Sequence, residues 1–556
     1  MAQRRDPCLD VTITPTYESA FIKSLEVRLI IENPNLTACQ TLVEIADPEE
    51  LHPVRPYPPN AVKASDLNGE LALIAEDTED GQWLWNVARE TTGDVVVTYT
   101  ATHINNDLEP IVALLDLRRD HNGINGAGIC LFILPPDDKT YSISLGWDLS
   151  QAPDGTRAIW THGEGPEAVE KVGSTKILSE SHFAIGPSLH SYPPATSASS
   201  GFGFYWFGDP NFDVLRLAEW AQNLFQYMQS FFHDSESAYS IFLRASASSR
   251  GTGGAALLRS FMFNYVMTND NDFKNFQTLL AHEMVHNWPT LSEDDDGDGE
   301  DTTWFVEGIA DYYSLILPFR AGSFILNRFA RHLNFMATAY YTNPMVNLTN
   351  QEAADQDSEN QDVARLPYGR GMFFFIRLDA LLRARSNDQR SIDDVVLKLL
   401  HRTRSGQSND LECFLELLEL ELGPAAREEY QAMSNGKLMV PPENSLGPSL
   451  SAQQIEMEQF EVGFEQDRDQ NGLSFVSKVF PNSRAAEAGL LQGDEILSTE
   501  DRFSHPDINF TYEDIYAETH LKLWRNGKQL SISYRPRSFR KVQAYQWVRK
   551  DDNRKF

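Results

Sequence analysis

Two stretches decide how this chain is read: Asn271 to Trp288, NDFKNFQTLLAHEMVHNW, and Trp304 to Tyr313, WFVEGIADYY. In the first, Phe273, Phe276, Leu280 and Met284 recur three or four residues apart, and Asn269, Asp270 and Asn271 offer N-caps, so the pattern predicts a helix. His282-Glu283-Met284-Val285-His286 on that helix is H-E-x-x-H. Four residues turn a helix by about 400°, so His282 and His286 project from one face and both imidazoles can reach one zinc ion. Glu283 lies beside the metal without needing to bind it. It can take a proton from water acidified by the metal and return it to a leaving amine. In the second stretch Glu307 can supply a third ligand, leaving the fourth position open as a catalytic zinc site requires. Asp311, one turn later, can accept the outward N–H of a ligating imidazole and fix its tautomer.

Working outward, Asp10 to about Pro187 consists of short β-rich runs split by Asn, Asp, Gly and Pro, among them LEVRLIIE, DVVVTYTATHI, GICLFILP and TYSISLGW. Such spacing predicts an antiparallel sandwich. After Ser191 to Gly203 the rhythm becomes helical: Leu215, Leu217, Trp220, Leu224, Met228 and Phe231 read as one buried face. A β-run, SAYSIFLRAS, precedes the H-E-x-x-H helix, and further helices are expected through GMFFFIRLDALLRAR and LECFLELLELELG, up to about Met439. Pro441 to Ser449 reads as a linker. Beyond it strands return around GLSFVSKVF and KLWRNGKQLSISYRP, with a helix near Tyr512 to Glu518, and the basic end is expected to be a partly ordered tail.

The chain has 556 residues, enough at roughly 150 per domain for three or four domains. Apolar residues make up 41% and aromatics 11%, which supplies several cores and excludes a disordered chain. Eighty acidic against 47 basic side chains leave a formal charge of -33, a field that repels phosphate backbones and anionic membranes and draws in cations. Neither nucleic acid nor membrane is expected as a partner. No apolar run of about 18 residues marks a transmembrane span. The N-terminal residues contain no apolar run of the signal-peptide kind, and Cys8, Cys39, Cys130 and Cys413 show no paired spacing, so a cytoplasmic location is expected. The sequons at Asn35, Asn347 and Asn509 then carry no weight.

H-E-x-x-H-x-W followed by W-x-x-E-G resembles the gluzincin metallopeptidases, and the domain order resembles the glycyl aminopeptidase family within them. The resemblance implies a multidomain α+β chain. Its parts are an N-terminal antiparallel β-sandwich over 1–190, a thermolysin-like, mainly α catalytic domain over 200–440, a PDZ domain over 455–538 and a basic tail over 539–556. Carried over residue by residue, His282, His286 and Glu307 match the ligands of one Zn²⁺ per chain, and Glu283 matches the general base. Pro367-Tyr368-Gly369-Arg370-Gly371 is similar to the family's Y-x-K-G segment with Arg for Lys, which makes Tyr368 the candidate donor to the oxyanion. Ser483 to Leu497 resembles the helix and turn of a PDZ module. Val462, Gly463 and Phe464 match its carboxylate-binding loop, with peptide C-termini as implied partners or simple docking on the catalytic domain as the alternative.

Three departures qualify this reading. Twenty residues separate His286 from Glu307, two more than the commonest aminopeptidase spacing, and they include the acidic run SEDDDGDGED. Asp294, Asp296, Asp298 and Gly299 in that run open like a calcium loop, but Phe305 stands where an EF-hand needs a bidentate Glu, so a solvated acidic loop is expected, with Ca²⁺ held by these aspartates as the alternative. Gly253-Gly254-Ala255-Ala256-Leu257 carries no acid where related enzymes hold the substrate amine with a glutamate. The expectation is therefore a zinc peptidase acting on peptides, foremost an aminopeptidase. The alternatives are an endopeptidase without an amine anchor and a catalytically weak interaction protein. Side-chain preference and oligomeric state are not legible.

Overall fold

In the computed structural model, residues 5–19, 21–45, 57–58, 60–78, 83–103, 115–136, 139–195, 201–234, 238–246, 253–266, 273–291, 302–356, 360–468, 473–499 and 515–550 are described. The expected caps Asn269 to Asn271, the acidic run with Asp294, Asp296 and Asp298, the sequon Asn509 and residues 512–514 of the helix expected near Tyr512 lie outside them, while Ile515 to Glu518 of that expected helix form a turn and coil leading into the strand at Thr519.

The chain divides into two compact units, Met1–Phe225 with Ser235–Phe273, and Gln226–Asp234 with Lys274–Phe556. In the first, a seven-stranded sheet runs in the order Val169–Gly173, Tyr141–Trp147, Cys8–Glu18, Phe21–Ile31, Val95–Thr102, Lys63–Asp66, Gly69–Leu71. Alternation makes this sheet: in Val95–Thr102 the odd-numbered Val95, Val97, Tyr99 and Ala101 are buried, while Thr98, Thr100 and Thr102 face water. The sheet is not purely antiparallel as expected. Cys8–Glu18 pairs with Tyr141–Trp147 in parallel, from Cys8 opposite Ser142 to Ile13 opposite Trp147. More than a hundred residues separate the two strands, long enough for the crossover that parallel pairing needs.

The first unit also extends past the boundary expected near residue 190. A five-stranded sheet of His190–Tyr192, Phe202–Trp206, Tyr239–Ser246, Ser260–Val266 and Gly253–Leu257 has three central parallel strands and two antiparallel edges. Its Phe242 and Met262 share one core with Ile159, Ala184, Leu189 and Phe207, which ties it to the strands before residue 190. On the helix Val214–Phe231, Leu217, Leu224 and Met228 are buried, but Leu215 is 56% exposed. A step of two turns a helix by about 200°, so Leu215 and Leu217 cannot share a face.

The second unit is helical around the H-E-x-x-H segment, with helices Phe273–Val285, Thr303–Arg320, Leu326–Thr342, Leu366–Ser386, Ile392–Arg404, Leu411–Leu422 and Ala425–Ser434. Thr303–Arg320 and Leu366–Ser386 cross almost backbone to backbone. A Cβ added to Gly371 would stand 1.9 Å from the Trp304 carbonyl oxygen, and one added to Gly308 would stand 2.3 Å from Gly371 Cα. Leu366–Ser386 begins earlier than expected, because Pro367 fits the first turn of a helix, where its missing N–H costs nothing. Tyr368 to Gly371 are therefore helical.

Toward the C-terminus, Phe464–Arg468, Ser474–Val479, Glu495–Thr499, Thr519–Arg525 and Lys528–Tyr534 form a five-stranded sheet in that order. Val476, Ala485, Leu490, Leu521 and Leu523 fill its core. Ser483 caps the short helix Arg484–Glu487, accepting from the Ala486 N–H at 3.1 Å. Of the residues expected to be a tail, 539–549 instead belong to the strand Arg537–Arg549, paired antiparallel with Leu450–Phe460. Its Ala544 and Trp547 are buried, and Trp547 stacks on Phe373 with centroids 5.5 Å apart. Asn334 clamps the same residue from both sides, its Nδ2 donating to the Trp547 carbonyl at 3.0 Å and its Oδ1 accepting the Trp547 N–H at 2.8 Å. The basic residues of this segment masked its apolar anchor. No helix among the described residues is long and apolar enough to cross a membrane.

Candidate metal centre

Helix Phe273–Val285 buries Phe276, Leu280 and Met284 as its period requires, which leaves His282 and Glu283 half-buried on another side. His286 lies one residue beyond the last helical position, where the chain tightens: the Asn287 N–H donates to the Met284 carbonyl at 3.2 Å and the Trp288 N–H to Val285 at 3.0 Å. Trp288 anchors this turn, stacking on Phe232 at 4.8 Å and donating its indole N–H to Asp234 at 2.9 Å. On the neighbouring helix, burial of Trp304, Phe305, Ile309 and Tyr312 leaves Glu307 facing the two histidines.

Three ligand atoms converge there. His282 Nε2 is 3.2 Å from His286 Nε2 and 3.2 Å from Glu307 Oε2, and His286 Nε2 is 3.8 Å from the same oxygen. A zinc ion about 2.0–2.1 Å from each of three tetrahedral donors sets them about 3.3–3.4 Å apart, so the spacing fits zinc. Asp311 Oδ1 accepts from His282 Nδ1 at 2.8 Å. That bond fixes the tautomer, because a carboxylate can only accept, and it turns the Nε2 lone pair toward Glu307 and His286. One proton can bridge two of these atoms, whereas a metal cation satisfies all three. Burial opposes charge on His282, but the carboxylates of Asp311 and Glu307 outweigh it and hold its pKa well above the ordinary value. The same negative field favours a bound cation. Among the described residues, His282, His286 and Glu307 are the group whose ligand atoms lie close enough together to hold a metal ion.

Tyr368 lies beside this cluster, its ring nearly parallel to that of His282 with centroids 6.0 Å apart. Arg370, two residues on, is directed elsewhere: it is 1% exposed and donates to Asn350 Oδ1 at 2.7 Å and to the carbonyls of Val346 and Leu348. It is a structural cation of the helix. The sequence reading missed two positions that build the centre. Gly308 and Gly371 permit the close crossing that brings Glu307, adjacent to one glycine, near Tyr368, one turn from the other; both glycines stood in the quoted motifs, but without a role. His332 on Leu326–Thr342 was missed as well. Burial, then the charges of Arg328 and His282, push its pKa down to about 4, so it stays neutral at physiological pH.

The other expected site residues lie apart from this cluster in the chain. In the loop before Phe464–Arg468, Gly463 has a φ of 86°, and a Cβ there would come within 2.9 Å of Ala485. Its carbonyl accepts from the Phe480 N–H and the Ser483 hydroxyl, while that of Val462 accepts from the Tyr534 hydroxyl at 2.7 Å. Ala255 and Ala256 lie on the edge strand Gly253–Leu257 of the first unit, opposite Met262 and Phe261.

No protein-family model matches the sequence, and no curated protein does. Among solved structures, an aminopeptidase N family protein from Idiomarina loihiensis is similar over 98% of both chains, with 14% identity and a TM-score of 0.64. An M1 zinc metallopeptidase from Deinococcus radiodurans, solved with a Tyr-Ser-Ala substrate, aligns over 79% of this chain and 95% of its own, with 13% identity and a TM-score of 0.46. The first likeness shows that this chain has the fold of an aminopeptidase N family protein from end to end.

Proposed function

We propose that the chain is a zinc-dependent peptidase, foremost an aminopeptidase. The observation that carries this is the convergence of His282 Nε2, His286 Nε2 and Glu307 Oε2 at zinc-ligand spacing, with Asp311 orienting His282 from behind. When bound, zinc supplies Lewis acidity that makes water nucleophilic at neutral pH and polarises a carbonyl. Glu283 follows His282 directly, takes the proton from the attacking water and delivers it to the leaving amine. Tyr368 donates a hydrogen bond to the developing oxyanion, which strengthens as charge builds on that oxygen. Asp311 holds the His282 imidazole in the tautomer that leaves Nε2 free to ligate.

The aminopeptidase subtype draws support from the end-to-end fold likeness and meets one difficulty, the absence of an acid in Gly253–Leu257. An endopeptidase needs no such acid. The C-terminal five-stranded sheet is read as a PDZ module in which Val462, Gly463 and Phe464 hold a peptide C-terminus. Gly463 in the left-handed region and the Ser483-capped helix support that reading. A peptide library with free and acetylated N-termini, run with and without a chelator, tests the function. Cleavage confined to free N-termini and abolished by chelation is expected. Cleavage of acetylated peptides would make the enzyme an endopeptidase, and cleavage that survives chelation would refute the zinc reading.

A further inference from the structure

The second unit contains a cavity of about 490 Å³ to which His282, His286, Glu307 and Tyr368 do not contribute. The helix that carries Glu307 and Asp311 forms one wall with Tyr312, Ile316, Phe319 and Arg320; Asp379 and Arg383 come from Leu366–Ser386, and Ser445 and Leu446 close it. Its inner acceptors are already engaged. Both oxygens of Asp379 are engaged, Oδ2 by Arg383 Nε at 2.7 Å and Oδ1 by the Ile392 N–H at 3.1 Å. Asp393, behind Arg320, is likewise engaged, by Arg320 Nη1 at 2.7 Å and the Tyr313 hydroxyl at 3.1 Å. Among the described residues, the terminal nitrogens of Arg383 and the second terminal nitrogen of Arg320 have no protein acceptor, and both side chains are about one-third exposed at the cavity. Around these donors the wall is apolar, from Ile316, Phe329, Leu446 and the Phe319 ring packed 4.6 Å from Phe329.

We propose that this cavity is a second ligand site, for a small carboxylate carried on a compact apolar body. The carboxylate lies against Arg320 and Arg383, and the body against Ile316, Phe329 and Leu446. Two guanidiniums with hydrogens left to donate are the complement of a carboxylate, and a cavity of this size suits one amino-acid-sized molecule. Asp388 at the rim is exposed and would accept an amine, so the ligand is either a free apolar amino acid or an acid without an amine. The proposal does not rest on the peptidase reading.

Calorimetric titration of the purified full chain with 3-phenylpropionate, L-phenylalanine and 2-phenylethylamine tests it. At least one of the two carboxylates is expected to bind while the amine does not, and tighter binding of L-phenylalanine would assign the amino acid. Binding must survive removal of metal by chelation, which separates this site from the metal centre. Arg383→Lys, which keeps a charge beside Asp379 but loses the guanidinium fork, and Ala384→Phe, which fills the mouth, should each weaken binding by about tenfold with zinc content unchanged. Thermal unfolding of each variant confirms that it folds. No binding of either carboxylate at millimolar concentration, equal binding of the amine, binding lost with the metal, or binding indifferent to both variants would overturn the proposal.

Discussion

Replacing Gly371 by alanine places a methyl group 1.9 Å from the Trp304 carbonyl oxygen and 2.7 Å from Gly308 Cα. Both obstacles are backbone, which cannot rotate away. The oxygen lies about 1.5 Å inside the 3.4 Å at which ordinary contact begins, so the two helices must part by an ångström or more. Overpacking of this kind costs about 1–3 kcal/mol of stability. The larger consequence falls on the metal centre, because Trp304 is one turn before Glu307 and zinc ligands tolerate displacements of only about 0.2 Å. A misplacement of about 1 Å costs about 100-fold in turnover. Zinc content, kcat and the visible spectrum of the cobalt-substituted protein are the assays, with Leu399→Ala as a control that is at least as destabilised. Leu399 is 1% exposed on Ile392–Arg404, so its truncation costs about 2–5 kcal/mol without touching the crossing. The control should keep a full zinc complement and an unaltered cobalt spectrum, while Gly371→Ala changes both. A folded Gly371→Ala with wild-type zinc content, spectrum and kcat would refute the reasoning that the glycine crossing places Glu307.

Further outcomes are expected. Glu283→Gln should retain zinc yet lose at least about 100-fold in turnover, since the amide fits but cannot carry the proton; near-normal hydrolysis by metal-replete protein would contradict its role. Tyr368→Phe should lower kcat more than it raises KM, because its hydrogen bond strengthens only as charge develops, and an unchanged kcat would leave it a packing residue. Glu421 is held to about 2 by hydrogen bonds from Arg390, and from Lys398 at 2.7 Å, against an ordinary 4.5. A depressed carboxylate stabilises the fold above its unfolded pKa and loses that contribution as pH falls through the folded one. Glu421→Gln should therefore be destabilised near neutrality and converge with wild type toward pH 2; a stability gap that persists there would place the effect in packing.

The H-E-x-x-H helix and the second helix with Glu307 and Asp311 were legible because local periodicity and motif spacing fix them. Asp311 in particular meets His282 as its one-turn offset from Glu307 predicts. The pairing of Cys8–Glu18 with Tyr141–Trp147 was not legible, since it joins segments far apart in sequence. Nor was the crossing of Gly308 and Gly371, because glycine on a helix signals close approach only once the facing helix is known. Most of Arg537–Arg549, from residue 539 on, was read as a tail because its charges outweigh two buried anchors, Ala544 and Trp547, whose burial depends on a helix two hundred residues earlier.

The central claim is a three-ligand zinc site, and the metal content of purified wild type and Glu307→Ala, measured by inductively coupled plasma mass spectrometry after dialysis, tests it most directly. Wild type should carry one zinc per chain. Glu307→Ala leaves two imidazoles and should lose its metal together with its hydrolytic activity, whereas Asp311→Ala, which removes only the orienting partner, should lose about 10–100-fold in affinity or activity. Full zinc occupancy with retained turnover in Glu307→Ala would mean that the third ligand lies elsewhere and would contradict the site described for this fold.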